Sequence, residues 1–201
     1  MSLLTSPVLI QLYKEIHAHD IEYKSDAFWT AYLALQFPQE RGYTVSPQWA
    51  PTDDSRDRCD AAVRALRGPE GNQFFATLLF LETKRPGKGP KGAEEQLMSA
   101  GTQYLNKETQ ESFVYGMTAW GSKARCWMFR REGGRYQLLP LFGSGELGKK
   151  REYVDAHSEA AYFITASMSY IRGESVDWPG SVFESVDQEG SETAVGASGA
   201  S

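Results

Sequence analysis

The chain has 201 residues, 41% of them hydrophobic, enough for one domain with a sizeable core. A net charge of −5 argues against a surface coated in positive potential for nucleic acid, and two cysteines with no Cys-x-x-Cys and no nearby histidine argue against a disulfide framework or a zinc finger. No stretch approaches the ~18 apolar residues of a membrane span and the start lacks a signal-peptide pattern, so a soluble intracellular domain (cytoplasm or nucleus) with no membrane partner is expected.

Val8, Leu9, Leu12, Tyr13 and Ile16 recur at helical spacing and predict a first helix from Ser6 to Ile16. A second helix is predicted from near Ser25, with Asp26 as the alternative cap, carrying Phe28, Trp29, Tyr32, Leu33 and Leu35 toward Phe37 until Pro38 and Gly42 end it. Residues 43–49 predict a short strand, which Pro47 places at a sheet edge, and the polar loop 50–57 follows. Arg58 to Leu66 and Phe74 to Leu81 predict two strands around the turn Gly68-Pro69-Glu70-Gly71-Asn72. Beyond a basic segment, Lys84 to Lys91, come a helix from Ala93 to Leu105 and a buried strand from Ser112 to Trp120. Two more strands, Lys123–Arg131 and Arg135–Leu141, join at Gly133-Gly134, and a last helix spans Ser158 to Ile171. Residues 190–201 have almost nothing to bury and are expected to be disordered, leaving a single domain over 1–189. This order of elements predicts a mixed α/β or α+β domain.

The triplet Glu82-Thr83-Lys84 closes the apolar run Phe74 to Leu81. Side chains alternate along a strand, so Glu82 and Lys84 share one face, where charges are costly to bury unless paired or ligating something. A hairpin with its tip at Gly71 places Asp60 opposite Glu82, since the two are equidistant from it. Two carboxylates and the intervening Thr83 carbonyl are hard oxygen donors that suit Mg²⁺ or Mn²⁺. Lys84 is then placed to orient a water or to stabilise charge on a phosphate. Arg85, Lys88 and Lys91 just downstream would meet neighbouring backbone phosphates. His17, His19 and His157 have no ligand spacing, and Asp53, Asp54 and Asp57 are expected to be a solvated loop.

Asp60, a hairpin, Glu82-Thr83-Lys84 and then a helix together resemble the PD-(D/E)XK nuclease superfamily. The later stretches Tyr115-Gly116-Met117-Thr118-Ala119-Trp120-Gly121 and Trp127-Met128-Phe129-Arg130-Arg131 are similar to nuclease domains of type I restriction enzymes and related fungal proteins. The resemblance covers Ser25 to Ile171. It implies a restriction-endonuclease-like mixed sheet flanked by helices and divalent-metal cleavage of phosphodiester bonds. It further implies Asp60 and Glu82 as ligands and Lys84 as the catalytic lysine. Cys59 stands where the superfamily's name has proline, and the Gln-x-x-x-Tyr motif of many members is matched loosely, by Gln96 and by Gln103-Tyr104. Some members add a glutamate from the first helix; Glu15, Glu22 and Glu40 are open alternatives. Two functions follow: a Mg²⁺-dependent nuclease of DNA or RNA, or a non-catalytic nuclease-like module for a protein or nucleic acid partner. No recognition or dimerisation element is visible, so specificity would come from a homodimer or a protein partner.

Overall fold

The computed structural model describes residues 2–176, which form four α-helices around a seven-stranded mixed sheet. The elements are α1 (Pro7–Ala18), α2 (Glu22–Gln36), β1 (Tyr43–Trp49), β2 (Cys59–Arg67), β3 (Phe74–Lys84) and α3 (Lys91–Lys107). They continue as β4 (Phe113–Trp120), β5 (Lys123–Glu132), β6 (Arg135–Pro140), β7 (Val154–Asp155) and α4 (Tyr162–Ile171). The sheet runs β1-β2-β3-β4-β5-β6, with β7 paired to β5. Every pairing is antiparallel except β3 with β4, and α3 is the crossover that parallel neighbours require.

The expected α+β class holds, with helices on both faces. Leu9 and Ile16 of α1, Phe28, Trp29 and Leu33 of α2, and Ile164 and Met168 of α4 join Ala61, Val63, Leu79, Leu81 and Met117 in one core. Leu97, Ala100, Tyr104 and Leu105 of α3 pack with Ala62, Phe80, Trp127 and Phe129 on the opposite face. Successive residues of β2 and β3 fall into alternate cores, as the two-residue strand period requires. Helix α3 lies close to the sheet because a glycine sits at the contact: a Cβ at Gly101 would fall 2.5 Å from the Phe129 ring. Burying these two apolar layers drives the fold.

Local chemistry sets the ends. The Ser6 hydroxyl accepts from Leu9 N at 3.2 Å and Pro7 supplies the first helical residue of α1. Pro47 lies in β1, an edge strand, as expected. Helix α2 begins a turn earlier than its capping residues suggested. Ile21 is the extended N-cap residue and Lys24 N donates to Ile21 O at 3.2 Å, so Ser25 and Asp26 lie inside the helix. The last helix is split into a 3₁₀ turn, Glu159–Ala161, and α4. The segment 190–201, expected to be disordered, lies outside the described residues.

One irregularity decides the register of the central hairpin. Near its tip Arg67 pairs with Phe74 and Arg64 with Thr77; beyond it Val63 pairs with Leu79 and Ala61 with Leu81. Leu78 is therefore one extra residue on β3, a bulge, and both Leu78 and Leu79 pack into the α1/α2 core. The slip of one residue flips every later side chain to the other face. Only after it do Leu81 and Thr83 face α2 while Glu82 faces α3, alongside Asp60.

Candidate active site

Asp60 lies at the start of β2, and Glu82 and Lys84 at the end of β3. The Ala61–Leu81 pair continues by one step to Asp60 beside Glu82, the expected register. Asp60 Oδ2 accepts two hydrogen bonds from one residue of the triplet, Thr83 N at 2.6 Å and Thr83 Oγ1 at 2.8 Å. Those bonds turn its carboxylate around the strand end toward the α2 side, away from the cavity that Glu82 lines. Lys84 Nζ donates to the Thr83 carbonyl at 2.7 Å, so that oxygen, expected to face a metal, already holds an ammonium.

The extra turn of α2 brings one of the three glutamates to the triplet. Glu22 Oε1 stands 3.5 Å from Lys84 Nζ. Glu15 is bound instead by Lys24. Glu40 sits in the short turn before β1, whose first residue, Tyr43, pairs with the far end of β2. Asp26, read from sequence as a cap, is four residues beyond Glu22 and so on the same face of α2. Burial, and next to it the negative charge of Asp60, raise the Asp26 carboxyl above its ordinary value, while a hydrogen bond from Thr30 at 3.1 Å opposes this. The i, i+4 spacing of two acids was the signal that could have found it.

Four acids, Glu22, Asp26, Asp60 and Glu82, thus act on one another around a single lysine. Glu82 bears the largest consequence. It is 3% exposed, and burial first, then Asp60, push its carboxyl up to about 8. The Cys59 thiol donates to it and Lys84 attracts it, but neither offsets the burial. The buried Cys59 thiol is itself held well above its usual range by burial and by Glu82. An added divalent cation would relieve this concentration of negative charge. Among the described residues no group of three or more His, Cys, Asp or Glu side chains forms a cage for an ion. Mg²⁺ and Mn²⁺ keep several waters and need only one or two protein carboxylates plus substrate phosphates, so an ion of that kind would not require a cage.

A cavity of about 200 Å³ opens over Glu82, lined among others by Asp57, Arg58, Cys59, Gln96 and Ser99. Gln96 therefore faces Glu82, and Gln103 joins the same rim, its amide donating to Asp57 Oδ2 at 3.1 Å and Ser99 Oγ at 3.3 Å. The sheet behind Glu82 is braced by a buried polar chain. Thr118, its register neighbour on β4, accepts from Trp127 Nε1 at 2.7 Å and contacts Tyr153 OH at 2.6 Å. Tyr153 OH donates to Glu94 Oε1 at 2.9 Å, and Gly148 N donates to Glu94 Oε2 at 2.5 Å. Buried polar groups linked in this way fix one arrangement of α3 against the strand end.

The basic segment curls beside Lys84. Gly87 N donates to Asp20 Oδ1 at 2.9 Å and Gly89 adopts φ +84°, a left-handed conformation that favours glycine. Arg85 and Lys88 are exposed and make no ion pair among the described residues; Lys91 is exposed and 3.8 Å from Glu95, a pair worth little in solvent. Of the loop aspartates, Asp53 holds Lys107 at 2.8 Å and Asp57 holds Gln103. No helix among the described residues is long and apolar enough to cross a membrane. Compared with known proteins, the chain matches no family model, no curated protein and no solved structure.

Proposed function

We propose that this domain is a Mg²⁺- or Mn²⁺-dependent phosphodiesterase acting on nucleic acid, DNA in the first instance. The observation that carries this is a buried Glu82 carboxyl that feels the charge of Asp60 at a strand end and is attracted by Lys84. Electrostatically unfavourable groups of this kind concentrate at functional sites. Asp60 and Glu82 would hold the ion, which when bound polarises a phosphoryl oxygen and makes a water nucleophilic at neutral pH. Thr83 holds Asp60 Oδ2 through its amide and hydroxyl, so the Asp60 carboxylate would turn back toward Glu82, or offer its other oxygen, to share the ion. Lys84, steered by Glu22 and the Thr83 carbonyl, presents an ammonium that positions the attacking water or stabilises charge on the phosphate. Arg85, Lys88 and Lys91 meet flanking phosphates, and Gln96 and Gln103 contact the strand across the cavity rim.

A second reading is favoured by one contact. The Lys84 ammonium already bridges Glu22 and the Thr83 carbonyl, which suits a nuclease-like module that binds a protein or nucleic acid partner without catalysis. Melting curves with and without Mg²⁺ separate the two. In the enzyme reading Mg²⁺ stabilises the parent by about 2.7 kcal/mol at a hundred times its dissociation constant, and Asp60→Asn abolishes the shift. A parent whose melting temperature ignores Mg²⁺ and Mn²⁺ leaves only the module.

A further inference from the structure

Beside Lys84, beyond the C-terminal ends of the two parallel strands, lies a cavity of about 320 Å³ that the chemistry above does not use. Its lining includes His17, His19, Asp20, Pro86, Trp120 and Lys123. Trp120 pairs with Lys84 across the parallel strands. The ammonium groups of Lys123 and Lys150 each stand 5.2 Å from the Trp120 ring centroid. Lys150 also lies along the basic loop, since a Cβ at Gly89 would meet its side chain at 2.8 Å. Among the described residues, Lys123 and Lys150 make no ion pair, so two cations without an acidic partner lie over one half-buried indole, and Arg85 and Lys88 of the basic loop are likewise unpaired. The two acids at the cavity are occupied: Asp20 takes Gly87 N, and Asp155 takes Tyr13 OH, Ser122 Oγ and His157 N. The exposed His17 and His19 rings make no hydrogen bond among the described residues, leaving their donors and acceptors for a ligand.

We propose that this cavity receives one unpaired nucleotide of the strand being cut, its base against Trp120 and the two histidines and its phosphates against Lys123 and Lys150. The proposal rests on the nuclease reading and adds to it a substrate class, single-stranded nucleic acid or a strand end. An aromatic platform combined with a positive track is how unpaired strands are held without sequence readout, and the volume suits a single nucleoside rather than a duplex.

The test is binding of a fluorescent oligonucleotide by anisotropy, in EDTA so that nothing is cut. The parent should bind a single strand more tightly than the matching duplex. Lys123→Ala/Lys150→Ala, surface changes whose folding is checked by melting temperature, should lose affinity at least tenfold and show a shallower salt dependence. An abasic residue moved stepwise along the strand should cost the parent about tenfold at one position. In His17→Ala/His19→Ala that position should cost little further. Equal binding by the lysine variant, or an abasic scan with no sensitive position, overturns the proposal while Mg²⁺-dependent cleavage by the same proteins keeps the nuclease reading. A parent that binds no nucleic acid and cuts none overturns both.

Discussion

Replacing Glu82 with glutamine should stabilise the metal-free protein, and increasingly so as the pH rises. The Glu82 carboxyl is pushed up to about 8 from its ordinary 4.5, first by burial and then by Asp60. A group whose folded pKa exceeds its unfolded pKa contributes full stability below the unfolded value and loses it as pH climbs through the folded one. Its window therefore runs from about 4.5 to about 8. At ~1.36 kcal/mol per pH unit the loss approaches ~5 kcal/mol at the alkaline limit and ~3 kcal/mol by neutral pH, as orders of magnitude. Glutamine keeps the shape without the ionisation. Denaturant unfolding of both proteins in EDTA, at pH steps across that window, measures the difference directly. The gap should widen toward alkaline pH, and saturating Mg²⁺ should close most of it for the parent. Parallel stability curves across the window would refute the reasoning, because Glu82 would then titrate as a solvated carboxylate.

Changing Arg85, Lys88 and Lys91 together to alanine should weaken binding alike on all sequences and flatten its salt dependence by up to ~0.9 per lost phosphate contact on duplex DNA; an unchanged slope assigns the loop to solvent. Deleting Leu78 should leave metal binding at the parental level, because excising the one extra residue keeps Val63 opposite Leu79 and Ala61 opposite Leu81; a deletion variant that folds but loses metal binding contradicts the register. Thr83→Val should cost about 1 kcal/mol of stability through the lost hydroxyl bond to Asp60, read by chemical denaturation, while the amide bond persists.

How far the site was legible depends on which residues carried it. Glu82 and Lys84 stood out because charges close an otherwise apolar strand, a pattern that ordinary burial does not produce. The Asp60 register was expected from a hairpin centred on Gly71, but it arises differently. The strands leave the turn one residue out of that phase, and the Leu78 bulge restores it. Two adjacent leucines in an apolar run conceal a bulge, since both belong in a core. Ser25 and Asp26 were good capping types in a plausible place, and tertiary contact overrode them: the longer α2 brings Glu22 to Lys84. Glu94 and Arg125 gave no sign of being buried, because Glu94 Oε1 and Oε2 bond residues 59 and 54 positions away and Arg125 is held by carbonyls of Ser144 and Glu146. Long-range partners of this kind leave no local pattern. The α+β class, by contrast, followed from periodicity and turn residues, as each core face recurs at helix or strand spacing and Gly and Pro mark the ends.

Cleavage of labelled single- and double-stranded DNA by the purified domain, with Mg²⁺ or with EDTA, addresses the central claim most directly. The parent should release fragments only with the metal, and Asp60→Asn and Lys84→Ala, each checked for folding, should lose at least about a hundredfold in rate. A folded parent that leaves every substrate intact in Mg²⁺ and Mn²⁺, or either variant cutting at the parental rate, would contradict the assignment of Asp60, Glu82 and Lys84 to phosphodiester hydrolysis.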